Sequence, residues 1–192
     1  MHPFLETERL VLRGFTPDDV DGLVALDSDP EVMRFINGGE PADPALIRTQ
    51  TLPRLLHDYP VLGTRGYWAA EEKAARTFLG WFELRPLEEH SAAVVELGYR
   101  LHRAAWGKGY ATEGCRALVA TAFTGLGVER ITANTMAVNT GSRRVMEKLG
   151  MTFVRNFTGD WPVAIPGSEH GEVEYELTRE DWLRSERSER RG

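Results

Sequence analysis

Apolar and polar positions along this chain recur in two periods, and the switches between them mark out a mixed α+β chain. Residues 9–13 alternate at period two and are closed by Gly14, so they read as a strand. Thr16-Pro17-Asp18-Asp19 then supplies a helix start, which predicts a helix over about residues 17–26. Further helices are predicted over about 30–36 and 44–57, separated by the loop Gly38-Gly39-Glu40-Pro41. Residues 67–71 and 77–85 read as strands joined by a turn, and residues 94–101 as the next strand. Within it, Val95, Leu97, Tyr99 and Leu101 form the apolar set, expected to face helices, while Glu96, Gly98 and Arg100 point the other way. Residues 110–124 carry Ala111, Cys115, Leu118 and Ala122 on one helical stripe, which makes Cys115 a core residue rather than a nucleophile. A strand over 130–135, a short helix between Asn139 and Gly150, and strands over 152–156 and 172–178 complete the pattern.

The junction between the strand 94–101 and the helix that follows carries the densest chemistry. It reads Trp106-Gly107-Lys108-Gly109-Tyr110-Ala111-Thr112-Glu113. Two glycines let the backbone turn tightly and aim several N–H groups at one anion, with the positive end of a helix behind them. Many strand-to-helix turns need glycine only to turn, so these residues alone leave both readings open. The spacing excludes a P-loop, because Lys108 lies between the glycines, and excludes the dinucleotide G-x-G-x-x-G/A fingerprint, because Thr112 holds the third position. Downstream, Asn139-Thr140-Gly141-Ser142-Arg143-Arg144-Val145-Met146-Glu147-Lys148-Leu149-Gly150-Met151 places an N-cap, an apolar stripe and a C-terminal glycine in one short helix.

Together these two segments resemble the GNAT N-acetyltransferase superfamily, and its RimJ/RimL-type branch in particular. The resemblance extends to Glu8-Arg9-Leu10-Val11-Leu12-Arg13, Glu96-Leu97-Gly98-Tyr99 and Glu174-Tyr175-Glu176-Leu177, and so covers most of residues 5–183. It implies a central mixed, mostly antiparallel sheet of about seven strands, splayed between the fourth and fifth and flanked by helices. It implies acetyl-CoA as co-substrate, with the pyrophosphate on the turn formed by Trp106, Gly107, Lys108, Gly109, Tyr110, Ala111 and Thr112. The pantetheine arm would run along the splayed strand past Tyr99 and Leu101, and Asn139 and Ser142 would meet the cofactor from their helix. One departure is visible: the family's loop usually begins with a basic or amide residue where this chain has Trp106, so one polar phosphate contact is missing.

Acetyl transfer to an amine sets its own demands. An alkyl amine with an intrinsic pKa of roughly 10 must shed a proton before it attacks a thioester, so a nearby carboxylate is useful. Glu96 is the first candidate base, with a plain solvated or ion-paired strand residue as its other reading. Glu83, on the polar side of the preceding strand, is the second, and could instead bind a cationic acceptor. Backbone N–H groups near residues 97–99 would polarise the thioester carbonyl. The resemblance points to Ser142 as the group that helps the leaving thiolate, although a first-turn serine can also simply cap. Asn139 can likewise cap its helix as well as meet the cofactor. Trp161 lies in a long Gly- and Pro-containing loop, residues 157–171, and is expected to line the acceptor pocket. Glu113 is expected to support the first turn of its helix, and Trp68, Trp81 and Trp182 to pack.

Composition narrows the picture further. The 192 residues suit one core, read as a single domain over residues 1–183 with a charged tail, 184–192, expected to fray. A net charge of −6 argues against nucleic acid. No apolar run is long enough to span a bilayer, the N-terminus lacks the pattern of a signal peptide, and a lone cysteine suits a reducing cytoplasm. The five histidines show no ligand-like spacing, so no metal is expected. The expected partners are acetyl-CoA and an amine acceptor, either a protein N-terminal α-amine or a small amine such as an amino acid, polyamine or aminoglycoside, with a homodimer implied by resemblance alone. A non-catalytic acyl-CoA-binding module is the rival reading.

Overall fold

The structure is a computed structural model that describes residues 3–159 and 163–189. Strands β1 (Leu5–Glu6) and β2 (Leu10–Arg13) lead into helices α1 (Val20–Asp27) and α2 (Pro30–Asn37). The single helix expected over residues 44–57 is instead segmented into α3 (Pro44–Leu46), a π-helical stretch (Ile47–Thr51) and α4 (Leu52–Leu55). Pro53 is the local cause, since it cannot donate to the carbonyl four residues back and the backbone widens ahead of it. Strands β3 (Asp58–Tyr59) and β4 (Thr64–Arg65) form a small separate ladder. After them come β5 (Tyr67–Glu72), β6 (Thr77–Glu88), β7 (Ser91–Leu101), α5 (Tyr110–Gly125), β8 (Arg130–Met136), α6 (Thr140–Lys148), β9 (Thr152–Phe157), β10 (Glu172–Thr178) and α7 (Arg179–Glu189).

Eight strands among the described residues form one sheet in the order β1-β2-β5-β6-β7-β8-β10-β9, one more than the seven expected because β1 adds an edge. Neighbours run antiparallel except β7 and β8, which run parallel. That pair is joined only at Val94–Arg130, Val95–Ile131 and Glu96–Thr132. Beyond Glu96 the two strands part, and this is the expected splay between the fourth and fifth strands.

Helices cover both faces of the sheet. On one side Cys115, Leu118 and Ala122 of α5 are fully buried against Leu12, Phe82, Val95 and Ile131. On the other, Leu23, Leu26, Leu52 and Leu55 close over Phe15, Tyr67, Ala69 and Trp81. The alternation within β5 serves both, because Trp68 and Ala70 point to the α5 side and Tyr67 and Ala69 away from it. A bulge between β5 and β6 at Gly80 resets the phase, so that Leu79 and Phe82 both reach the α5 side. Only glycine fits there: φ is +131°, and an added Cβ would lie 2.0 Å from the Arg100 carbonyl oxygen.

Helix α7 continues to Glu189, into the charged segment that begins at residue 184. Thr178 Oγ1 accepts from the Asp181 N–H at 3.2 Å, and Arg184 pairs with Glu180 and Asp181 one turn back. Trp182 meets Phe123 of α5, with ring centroids 5.5 Å apart, and anchors the helix.

Candidate active site

Where β7 and β8 diverge they open a cleft of about 690 Å³ that runs between the starts of α5 and α6. Its walls include Leu97 to Leu101 of β7, a main-chain edge with no β8 partner. At its far end the chain turns through Gly107 and Gly109, whose φ values of +71° and +83° lie in the left-handed region that glycine adopts freely. From Gly107 through Thr112 no backbone N–H makes a well-formed hydrogen bond to a protein acceptor among the described residues, and the Glu113 N–H is the first to bond back into the helix, at 2.9 Å to the Gly109 carbonyl. A run of unpaired donors at a helix start, on glycines bare of side chains, is a fit for a phosphate-bearing ligand.

A side-chain clamp holds this turn. Glu113 accepts from the Thr7 hydroxyl at 2.6 Å, the Arg9 N–H at 2.9 Å and the Arg9 Nε at 2.7 Å. Arg9 Nη1 donates to the Lys108 carbonyl at 2.9 Å, and its guanidinium lies 4.4 Å from the Tyr110 ring centroid. Burial works against the Glu113 carboxylate, but the Thr7 and Arg9 bonds prevail and lower its pKa below the usual value. Glu113 thus supports its helix by tying it to the edge of β2. Sequence reasoning quoted Arg9 as part of a motif but missed this clamp, whose partners lie about a hundred positions apart.

The cofactor candidates divide by geometry. Gly107, Gly109, Tyr110, Ala111, Thr112, Tyr99, Leu101, Asn139 and Ser142 all line the cleft. Trp106 lines it too, but its indole N–H donates to the Leu101 carbonyl at 2.8 Å and is committed to closing the turn. Lys108 is exposed and does not line the cleft; its carbonyl serves Arg9. Asn139 caps α6, with Oδ1 accepting from the Ser142 N–H at 3.2 Å, while Nδ2 donates to Thr135 Oγ1 at 3.1 Å. Burial pushes the Tyr99 hydroxyl up to about 12, with the Ser142 side chain pulling the other way, so a protonated phenol and a serine hydroxyl share this wall. Cys115 lies behind the wall in the core, its thiol driven upward by burial.

Glu83 and Glu96 come together at the crotch of the splay, and their surroundings differ. Glu96 spends both oxygens on partners: Oε2 accepts from Arg85 Nη2, and Oε1 from Asn134 Nδ2 at 3.3 Å. It therefore links β6, β7 and β8 at the last paired position. Glu83 Oε1 accepts from Arg85 Nε at 2.6 Å and the Tyr67 hydroxyl at 3.1 Å. Its Oε2 lies over Gly98, where an added Cβ would sit 2.9 Å away, and has no donor among the described residues. Burial raises the Glu83 pKa, the Glu96 charge raises it further, and Arg85 and Tyr67 only partly offset them. The room that Gly98 leaves is thus filled by a carboxylate oxygen. Arg85 and Asn134 escaped the sequence reading, although Arg85 sits two residues from Glu83 on the same face of its strand. Trp161 lies outside the described residues.

Comparison with known proteins agrees with this geometry. Residues 9–152 match the family model described as an acetyltransferase (GNAT) domain. The chain is 35% identical over 193 residues to the FsC-acetyl coenzyme A-N(2)-transacetylase of Aspergillus fumigatus, a match that covers 96% of this chain and 80% of that protein. Among solved structures it is similar to a GNAT-family acetyltransferase from Bacillus anthracis, with a TM-score of 0.75 and 24% identity over 92% of this chain and 98% of the other. It is similar in fold to spermidine N-acetyltransferase from Vibrio cholerae, in complex with CoA and spermine, with a TM-score of 0.73 and 15% identity over 91% of this chain and 98% of the other. This chain belongs to the GNAT family of acetyltransferases and is an acetyl-CoA-dependent N-acetyltransferase.

Proposed function

We propose that acetyl transfer takes place in the cleft between β7 and β8, by direct attack of a primary amine on the thioester with Glu83 as the base. The observation that carries this reading is the Glu83 carboxylate itself: largely but not fully buried, raised in pKa, and with Oε2 free beside Gly98 on the splayed strand. A base whose pKa lies closer to the working pH than an ordinary carboxylate's is the better proton acceptor for an ammonium. Glu96 was the first candidate from sequence, and its two oxygens are committed to Arg85 and Asn134. It serves this mechanism as the charge that raises Glu83 and holds Arg85.

The steps balance without an enzyme-bound acyl group. The acceptor ammonium gives a proton to Glu83, the amine nitrogen bonds to the thioester carbon, and collapse of the tetrahedral adduct breaks the carbon–sulfur bond. The departing thiolate takes a proton from a hydroxyl donor, for which Ser142 and Tyr99 stand on the cleft wall, and the second proton shed by the adduct's nitrogen restores that hydroxyl. The unpaired N–H groups from Gly107 to Thr112 hold the pyrophosphate, and Asn139 keeps the start of α6 in register with β8.

The relative from Aspergillus fumigatus carries an N(2)-transacetylase name, which supports an amine nitrogen as acceptor and favours an enzyme over an acyl-CoA sensor. Within the family we place the chain near the RimJ/RimL type on its Trp106–Glu113 and Asn139–Gly150 motifs, in the cytoplasm, and as a homodimer that sedimentation at micromolar concentration would reveal. The deciding experiment is thiol release from acetyl-CoA across amines, amino acids, aminoglycosides and N-terminal peptides. Stimulation by at least one class, lost about 10²–10⁴-fold in Glu83→Gln with acetyl-CoA affinity kept, supports the reading. CoA release that no amine stimulates would support the sensor.

A further inference from the structure

On the acceptor side the cleft continues into a smaller polar pocket of about 410 Å³, which shares Trp81, Glu83, Glu96 and Arg100 with it. Three guanidiniums line this pocket, those of Arg54, Arg85 and Arg100, and their commitments differ. Arg85 is held by both Glu83 and Glu96. Arg100 is held by Asp27 Oδ1 at 2.7 Å. Arg54, exposed on α4, makes no ion pair and no side-chain hydrogen bond among the described residues, and its guanidinium carbon lies 5.7 Å from the Tyr67 ring centroid. The hydroxyl of that same tyrosine donates to Glu83 Oε1 at 3.1 Å. One tyrosine side chain therefore spans the gap between the carboxylate that faces the reaction and an uncommitted cation.

The charges around the pocket already balance. Its lining carries two carboxylates, Glu83 and Glu96, against Arg54, Arg85 and Arg100, with Asp27 paired to Arg100 behind it, so this smaller pocket itself holds no excess of negative charge for a polycation. A polyamine would bring further positive charge against three guanidiniums. A ligand with one ammonium and one anion close together would leave the balance intact and give Arg54 a partner, and a guanidinium fork suits a carboxylate in particular.

We propose that the acceptor carries an anionic group a few bonds from its reacting amine, as an α-amino acid or a short derivative with a free carboxylate does, and that Arg54 takes the anion while Glu83 faces the amine. This rests on the placement of Glu83 as base. The N(2) position named for the Aspergillus fumigatus relative is compatible with such a compound.

The test measures thiol release by the full chain with L-phenylalanine, L-leucine and L-ornithine, with the carboxamide of each, and with putrescine and spermidine. The acids should exceed their carboxamides in kcat/KM by about ten- to a hundredfold, the range of one hydrogen bond to a charged group. Arg54→Gln should erase that preference by raising KM for the acids, with acetyl-CoA affinity in calorimetry at the parent value. Carboxamides or polyamines used as well as the acids, or a preference that survives Arg54→Gln, would overturn the inference and leave the acetyltransferase reading standing. CoA release that no amine stimulates would overturn both.

Discussion

Two glutamates paired to one arginine, Arg85, are left in different states by their other neighbours. Glu96 is tied to Arg85 and Asn134, and Glu83 keeps one oxygen open in a part-buried setting. The sign of the pH effect follows. As the proposed base, Glu83 must act as a carboxylate, and its pKa stands above the ordinary value, so turnover should fall as pH drops through that raised value. Glu96→Gln removes a negative charge that raises Glu83, so the acid limb of kcat/KM should move to lower pH while neutral-pH turnover stays within about tenfold of the parent. A pH–rate profile of the two single variants checks this. If Glu96→Gln instead loses about 10²–10⁴-fold and Glu83→Gln does not, the roles are reversed. Strand periodicity placed both residues on the polar side of their strands, and the sequence alone ranked Glu96, on the strand that leads into the glycine turn, ahead of Glu83. The difference is made by Arg85, Tyr67, Asn134 and Gly98, which only the paired sheet brings to the two carboxylates.

At the scale of elements, the turn before α5 depends on backbone angles and on a clamp from a distant strand. Gly109 has φ at +83°, and an added Cβ would stand 3.4 Å from Arg9 Nη2, so Gly109→Val opposes both the turn's conformation and the clamp. The variant should stay folded by circular dichroism and lose at least about tenfold in acetyl-CoA affinity by calorimetry, equivalent to about 1.4 kcal/mol. Lys108→Ala should change affinity far less, because that side chain lies outside the cleft and only the Lys108 carbonyl is used. Arg9→Ala frees the Lys108 carbonyl and removes the Nε and Nη2 contacts to Glu113, and should raise KM for acetyl-CoA with little change in kcat. Steady-state kinetics with varied acetyl-CoA distinguishes that outcome from a catalytic role. The turn itself was legible because glycine spacing and helix-capping rules are local. The clamp was not, because it joins residues from opposite ends of the chain.

For the whole molecule, the cleft is also a gap in the sheet. β7 and β8 are joined at three positions, and beyond Glu96 their facing edges have no strand partner among the described residues. A ligand that bridges them and fills the turn's empty donors binds the folded state alone. At about a hundred times its dissociation constant, such a ligand adds roughly 2.7 kcal/mol, which for a protein of this size raises Tm by about 5–11 °C. Differential scanning with CoA measures the rise, and Gly109→Val should blunt it. No rise with CoA in the parent protein would remove the splay as its binding site.

The amino-acid sequence by itself determined the order and type of the main elements, the glycine turn, the capped start of α6 and the stripe that buries Cys115. These follow from rules that act within a few residues: hydrophobic period, φ preference and capping chemistry. It also carried the family resemblance that set the expectation of a splayed sheet and acetyl-CoA. Tertiary structure alone decided that Trp106 closes the turn through Leu101 and that Trp182 seats α7 against Phe123. It decided, too, which glutamate keeps a free oxygen and where Arg54 stands. Burial and pairing across the sheet arise between residues far apart in the chain, and no local pattern records them.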